Sequence, residues 1–108
     1  MSSTTVTRGN SHETFYIGPT LTPSSVTNAT TSNQTFNVAG LLTSDYVFVV
    51  GVVGNQTSGI AAIEADVTAA NQLTIQFTNC SAAPATPVSG QYVIQVVRVE
   101  GSLPVNAA

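Results

Sequence analysis

The sequence predicts an all-β domain, specifically an antiparallel β-sandwich of jelly-roll-like type with about six to seven strands. Three observations favour this class. Polar and apolar residues alternate along several short segments, and residues typical of turns separate these segments roughly every 8–12 positions. The chain has 108 residues, which is enough for one ordinary domain.

Residues 1–33 are predicted to form an extended polar N-terminal arm with a first short strand. Ser, Thr and Asn dominate this region, and such termini are often mobile unless they dock on something. Phe15-Tyr16-Ile17, closed by Gly18-Pro19, fits a short strand or an anchoring segment of the arm. The segment from Thr20 to Asn33 fits either an irregular loop or one weak strand.

Residues 34–100 are predicted to form the sandwich core. Thr35 to Val38 alternates as a half-buried strand does. From Tyr46 to Val53 the chain is apolar apart from Gly51, which predicts a strand covered on both faces. It could be a central strand, or a strand with one face on the core and the other against a partner.

The segment from Ile60 to Thr68 is compatible with a helix or a strand. Its alanines favour a helix over about 60–70. A strand would place Ile63, Ala65 and Val67 on one side and the acidic residues on the other. We favour the strand because this alternation is the cleaner of the two patterns.

The last third contains the clearest strand pattern. A turn at 70–72 leads into strict alternation from Leu73 to Thr78. The loop at 79–90 contains two prolines, which cannot donate to a central ladder. The final strand, over 91–99, is apolar on both sides, and residues 101–108 form a short tail.

The charge content excludes several classes of partner. The seven charged residues give a net charge of −3, and lysine is absent. Binding of nucleic acid needs clustered Lys and Arg, so we expect none. No apolar run approaches the ~20 residues of a membrane helix, and the N-terminus lacks a signal-peptide pattern. We therefore expect no membrane partner and synthesis in a cytoplasm.

Edge strands without lysine have little protection against addition of another strand, because edge lysines are a common guard. This feature indicates a domain whose edges are covered by oligomerisation or docking.

The sequence offers little for catalysis, and we predict that the protein is not an enzyme. His12 is the single histidine and Cys80 the single cysteine, so a zinc site lacks ligands. Glu64, Asp66 and Asp45 could form a weak cation site, but solvated carboxylates are the more ordinary interpretation. We predict no catalytic, metal or cofactor site and no cofactor.

Four segments carry a resemblance to a known class of proteins: Thr35 to Val47, Ala69 to Asn79, Ala83 to Pro87 and Gly90 to Val93. In this order they resemble the head decoration or capsid cement proteins of tailed bacteriophages. The resemblance covers roughly residues 34–99.

The resemblance implies a structural virion protein that is made in the cytoplasm of a bacterial host and binds the outer surface of an icosahedral capsid, which it stabilises. The implied partners are the major capsid protein and further copies of the chain itself, as a homodimer or homotrimer. The candidate interface is Phe15, Tyr16 and Ile17, since aromatic anchors in a polar segment suit an interface. The trio could equally be an ordinary first strand. A receptor- or carbohydrate-binding module of a head fibre or tail is the alternative function.

Overall fold

The computed structural model describes residues 12–99, and this part of the chain is all β without a helix. Arg8, Glu100 and the predicted tail at 101–108 lie outside the described residues. Seven strands follow one another: β1 (His12–Ile17), β2 (Thr20–Leu21), β3 (Thr30–Asn37), β4 (Asp45–Val52), β5 (Ile60–Asp66), β6 (Gln72–Asn79) and β7 (Gly90–Val99). The predicted all-β class and strand number are confirmed.

The strands form two antiparallel sheets. In the first sheet, β7 is central: β4 pairs along one side of it, and β1 and β2 pair in succession along the other. In the second sheet, β6 is central between β3 and β5. The chain passes between the sheets in four of its connections, and only β5 and β6 are joined as a hairpin within one sheet.

The core lies between the central strands. Alternate residues of β6 and β7 point inward and are fully buried, as their sequence alternation predicts. The Phe77 and Tyr92 rings meet edge to face with centroids 6.2 Å apart, a favoured aromatic geometry. The other inward apolar residues of these two strands are Leu73, Ile75, Ile94 and Val96.

The described part of the predicted arm, residues 12–33, contributes β1, β2 and the start of β3 to the sheets. All six residues of β1 pair with β7, so the predicted short strand is confirmed and lengthened. Gly18-Pro19 interrupts this edge before β2 resumes it. Strand β3 begins at Thr30 rather than near Gln34, because Thr and Asn on its outward side pair well across the sheet although they weaken the hydrophobic signal. Residues 12–33 therefore belong to the folded unit.

Strand β5 confirms the strand interpretation of 60–68 but corrects its faces. The pairing with β6 shifts between Ala62 and Glu64, so Ile63 is the extra residue of a bulge. Ile63 is 55% exposed, whereas Ala62 and Ala65 pack against the core. A bulge reverses the alternation after it, which a strict period of two cannot predict.

Strand β4 lies at an edge within residues 12–99, where it pairs with β7 alone. Its inward residue Val47 is buried, but its outward residues are in water. Of the two expectations for this apolar strand, the central position is therefore wrong. It also carries a bulge between Val49 and Gly51. The bulges twist the two edge strands β4 and β5. This twist protects them against the addition of another strand, a role that lysine often fills at sheet edges.

One end of the molecule is joined through the loop that leads from β3 to β4. Asn71, in the turn of the β5–β6 hairpin, has φ of 65°, a conformation that Asn tolerates well. Its side chain accepts a hydrogen bond from the Gly40 N–H at 2.8 Å, and its backbone bonds Val38 and Leu41. The hairpin turn of the second sheet thus holds the crossover to the first.

The opposite end is joined through the buried side chain of Asn79. Its amide donates to the Val26 and Ala83 carbonyls, and its carbonyl accepts from the Ser81 N–H and hydroxyl, four bonds of 2.7 to 3.0 Å. The connection from β2 to β3 and the loop after β6 are therefore held by one polar group, which uses its full hydrogen-bonding capacity.

Substitution Asn79→Ala should destabilise the fold because it leaves several of these loop groups without partners. We expect the free energy of unfolding to fall by about 2–3 kcal/mol, measured by urea denaturation. Asn33→Ala is the matched control, since Asn33 is exposed on β3, and it should change stability by less than about 0.5 kcal/mol. Equal effects of the two substitutions would contradict the role given to Asn79.

Candidate functional site

The outer side of the first sheet carries a continuous set of apolar side chains. The register places Thr14, Val97 and Tyr46 in one row, and Tyr16, Gln95 and Phe48 in the next. Val93 and the bulge residue Val50 extend the surface toward the other end. We call the apolar face the outward side chains of Tyr16, Tyr46, Phe48, Val50, Val93 and Val97, with Gln95 at its centre.

These side chains are accessible to solvent. Tyr16 is 62% exposed, Tyr46 46%, Phe48 54% and Val50 58%. Val93 and Val97 are half-buried between their neighbours. Single exposed hydrophobic residues are ordinary on a protein surface, but a contiguous group containing three aromatic rings indicates an interaction site.

The outer side of the second sheet has the opposite character. Its register pairs Thr31 with Thr78 and Thr35 with Thr74, and the hydroxyls of the latter pair are 3.0 Å apart. Asn33 lies beside Gln76 in the row between them. We call this surface the polar face. The two outer sides therefore differ in chemistry, and only the first offers aromatic rings to a partner.

The structure separates the three residues of the predicted interface. Phe15 and Ile17 pack against the core, whereas Tyr16 points outward onto the apolar face. The alternation of a strand makes this division inevitable, because neighbouring residues point to opposite sides. The interface role of the trio stays a prediction, and Tyr16 is the member that a partner could reach on this side of the sheet.

Sequence reasoning did not single out Tyr46, Phe48 and Val50 as a surface. The signal was present in the run of apolar residues from Tyr46 to Val53, which indicated a strand covered on both sides. The local pattern does not show which distant residues share this surface. Tyr16, about thirty positions earlier, reaches it only because β1 and β4 flank β7.

A groove of about 440 Å³ lies beside the apolar face, between the adjoining edges of β4 and β5. Tyr46 and Phe48 line one side, and Ile63, Glu64 and Asp66 line the other. The groove extends the apolar surface around the edge of β4, and the two carboxylates form its acidic border.

Asp45 forms an ion pair with Arg98. Its two carboxylate oxygens accept hydrogen bonds from the Arg98 guanidinium at 2.8 and 2.7 Å, and one of them also accepts the Leu42 N–H. Arg98 donates further to the Gly40 carbonyl and lies 5.3 Å from the centre of the Phe15 ring. The pair thus fastens the β3–β4 loop to the end of β7. Asp45 lines the same groove as Glu64 and Asp66, but both of its carboxylate oxygens are engaged by Arg98 and therefore do not form a cation site with them.

The ion pair shifts the pKa of both partners. The hydrogen bonds from Arg98 hold the pKa of Asp45 below its ordinary value of 3.8, against the opposing effect of burial. The same contact with Asp45 raises the pKa of Arg98. Both shifts favour the charged forms, so the pair stabilises the fold at neutral pH.

The remaining candidate residues lie apart from one another. His12 begins β1, and Cys80 follows β6 at the surface, where its thiol donates to the Gly59 carbonyl at 3.4 Å. Residues 12–99 contain no group of three or more His, Cys, Asp and Glu placed to hold a metal ion. In the same range, no helix is long and apolar enough to cross a membrane.

Comparisons with protein-family models, with curated proteins and with solved structures found no match to this chain.

Substitutions in β1 should separate packing from surface function. Phe15→Ala should lower the free energy of unfolding by about 1–2 kcal/mol, less than the 3–5 kcal/mol typical of a fully buried Phe. Tyr16→Ser should leave stability within about 0.5 kcal/mol of wild type. Urea denaturation of both variants tests this, and a larger loss in Tyr16→Ser than in Phe15→Ala would contradict the assigned faces.

The Asp45–Arg98 pair should make stability depend on acid pH. Because the folded pKa of Asp45 lies below 3.8, its contribution is complete above the unfolded pKa and is lost as the pH falls through the folded value. Asp45→Asn should cost about 1–2 kcal/mol at pH 7.

The difference between wild type and Asp45→Asn should shrink as the pH is lowered from about 5 to about 2. Urea denaturation of both proteins across this range measures the difference in their free energies of unfolding. The contributions of the other carboxylates are the same in both proteins and cancel. A difference that stays constant with pH would show that the carboxylate acts only as a neutral turn residue.

Proposed function

We propose that this protein is a structural virion protein, which binds the outer surface of an icosahedral bacteriophage capsid and stabilises it. The observation that carries the proposal is the contrast between the two outer sides of the sheets. A domain with one polar face and one aromatic, uncharged face is suited to lie against other protein on one side and water on the other.

The proposed mechanism needs no chemical step. A protein that binds the closed shell better than its opened state stabilises the closed state by mass action. Many copies on one shell add their contributions, so that a modest single contact suffices. We propose the major capsid protein and further copies of this chain as partners, the outer capsid surface as the location, and a non-enzymatic role.

The resemblance of residues 34–99 to decoration and cement proteins supports the same proposal. Its four segments cover the end of β3 with the following crossover and the start of β4, the end of the β5–β6 turn with β6, part of the loop after β6, and the start of β7. They therefore include the Gly40 loop and the hairpin turn that hold the sheets together. We extend the proposal to a jelly-roll-like sandwich, which the four passages between the sheets support.

A receptor- or carbohydrate-binding module is the second candidate. Tyr16, Tyr46 and Phe48 offer exposed rings on one side of the first sheet, and aromatic rings are a common platform for sugars. Gln95 is the one amide side chain beside these rings on the apolar face, and the face carries no charged side chain. Few groups are therefore present to orient a polar ligand. Binding of the purified protein to glycans, without affinity for capsids, would favour this candidate over the first.

Capsids of the encoding phage that lack this protein should rupture at a lower temperature than complete capsids. Added wild-type protein should restore the rupture temperature, as followed by release of packaged DNA during heating. Phe48→Asp should fail to restore it, because it places a charge in the apolar face. Asn33→Asp is the matched control on the polar face and should restore it fully.

Two results would contradict the proposal. Capsids without the protein that are as stable as complete ones would remove the stabilising role. Full restoration by Phe48→Asp would show that the apolar face takes no part in the assembly.

A further inference from the structure

The proposed function leaves open which protein covers the apolar face, and we infer that a second copy of this chain does, in a two-fold dimer with the two apolar faces in contact. This inference rests on the proposed function only for its place in the assembly.

The charge distribution favours a second copy. In the described chain, the outward positions of β1, β4 and β7 carry no Asp, Glu, Lys or Arg. The acidic residues Glu64 and Asp66 lie on β5, and Asp45 pairs with Arg98 on the inner side. A face without charge can meet its own copy without like-charge repulsion, whereas recognition of a different protein usually employs complementary charges.

The extent of the face suits such a contact. With about 200 Å² for each aromatic side chain, the exposed parts of Tyr16, Tyr46 and Phe48 present about 300 Å². The valines and Gln95 raise the estimate to roughly 450 Å², which is over half of the ~800 Å² that each partner buries in a standard interface. Uncharged residues at the border, including Thr14 beside Val97 and the exposed Val53 that follows β4, can supply the rest.

Gln95 makes the centre of the face self-complementary. It lies between Tyr16 and Phe48 in the middle row of the sheet. Its amide carries a donor and an acceptor, so two copies related by a two-fold axis can exchange a reciprocal pair of hydrogen bonds. Facing sheets pack about 10 Å apart, a distance that large side chains on both sides fill.

Analytical ultracentrifugation of the purified wild-type, Phe48→Asp and Asn33→Asp proteins tests the inference. We expect wild type and Asn33→Asp to be dimers. The dissociation constant of the dimer should be at least about tenfold higher for Phe48→Asp than for wild type. The effect should be large because each dimer contains the substitution twice. Urea denaturation of Phe48→Asp confirms that the variant is folded.

A cross-link gives a second measurement that does not depend on destabilising the face. In a Cys80→Ser background, Gln95→Cys should be cross-linked between two copies by a short bis-maleimide, because sheets about 10 Å apart hold the two thiols too far apart for a direct disulfide. Asn33→Cys on the polar face should not be cross-linked. Equal cross-linking at both positions would contradict the face-to-face arrangement.

The outcomes separate this inference from the proposed function. A wild-type protein that stays monomeric up to about 100 µM, a concentration typical of weak contacts, overturns the inference. If that monomer still stabilises capsids through Phe48, the capsid itself covers the face and the proposed function stands. A dimer that survives Phe48→Asp also overturns the inference, because its contact lies elsewhere.

Discussion

Strand β7 is the constraint on which both the core and the apolar face depend. Its inward residues Tyr92, Ile94 and Val96 are fully buried, while Val93, Gln95 and Val97 on its other side run along the centre line of the apolar face. A slip of one residue in its register would exchange these two sets. Pairing along both sides, with β4 on one and β1 and β2 on the other, opposes such a slip. One strand therefore sets the interior and the surface at the same time.

Two polar centres hold the sheets at opposite ends, and few charges are needed for this. At one end, Arg98 and Asn71 reach the same crossover loop from different sheets, through the Gly40 carbonyl and the Gly40 N–H. At the other end, Asn79 joins two loops by its amide. Because these side chains act on backbone groups, they stabilise loops that would otherwise expose unpaired carbonyls and N–H groups. A chain poor in lysine and arginine can thus be firmly connected.

The sequence predicted those parts of the fold that depend on local alternation, which are β6, β7 and the hairpin turn before β6. It did not predict the bulge at Ile63, because an inserted residue depends on the partner strand rather than on the local pattern. The edge position of β4 and the meeting of Tyr16 with Phe48 depend on pairings between distant segments, which no periodicity encodes. Asn79 resembled an ordinary loop residue in the sequence, and only its burial distinguishes it.

The position of Arg98 has a practical consequence for following the fold by proteolysis. The chain has two arginines and no lysine, so trypsin has few bonds to cut. Arg98 lies in the ladder between β1 and β4, with its guanidinium engaged by Asp45 and Gly40. A protease must bind its target in an extended, accessible form, which this residue adopts only after the end of β7 separates from its neighbours. Cleavage after Arg98 therefore reports the opening of the central strand, and the size of the fragment distinguishes it from cleavage at the other site, Arg8.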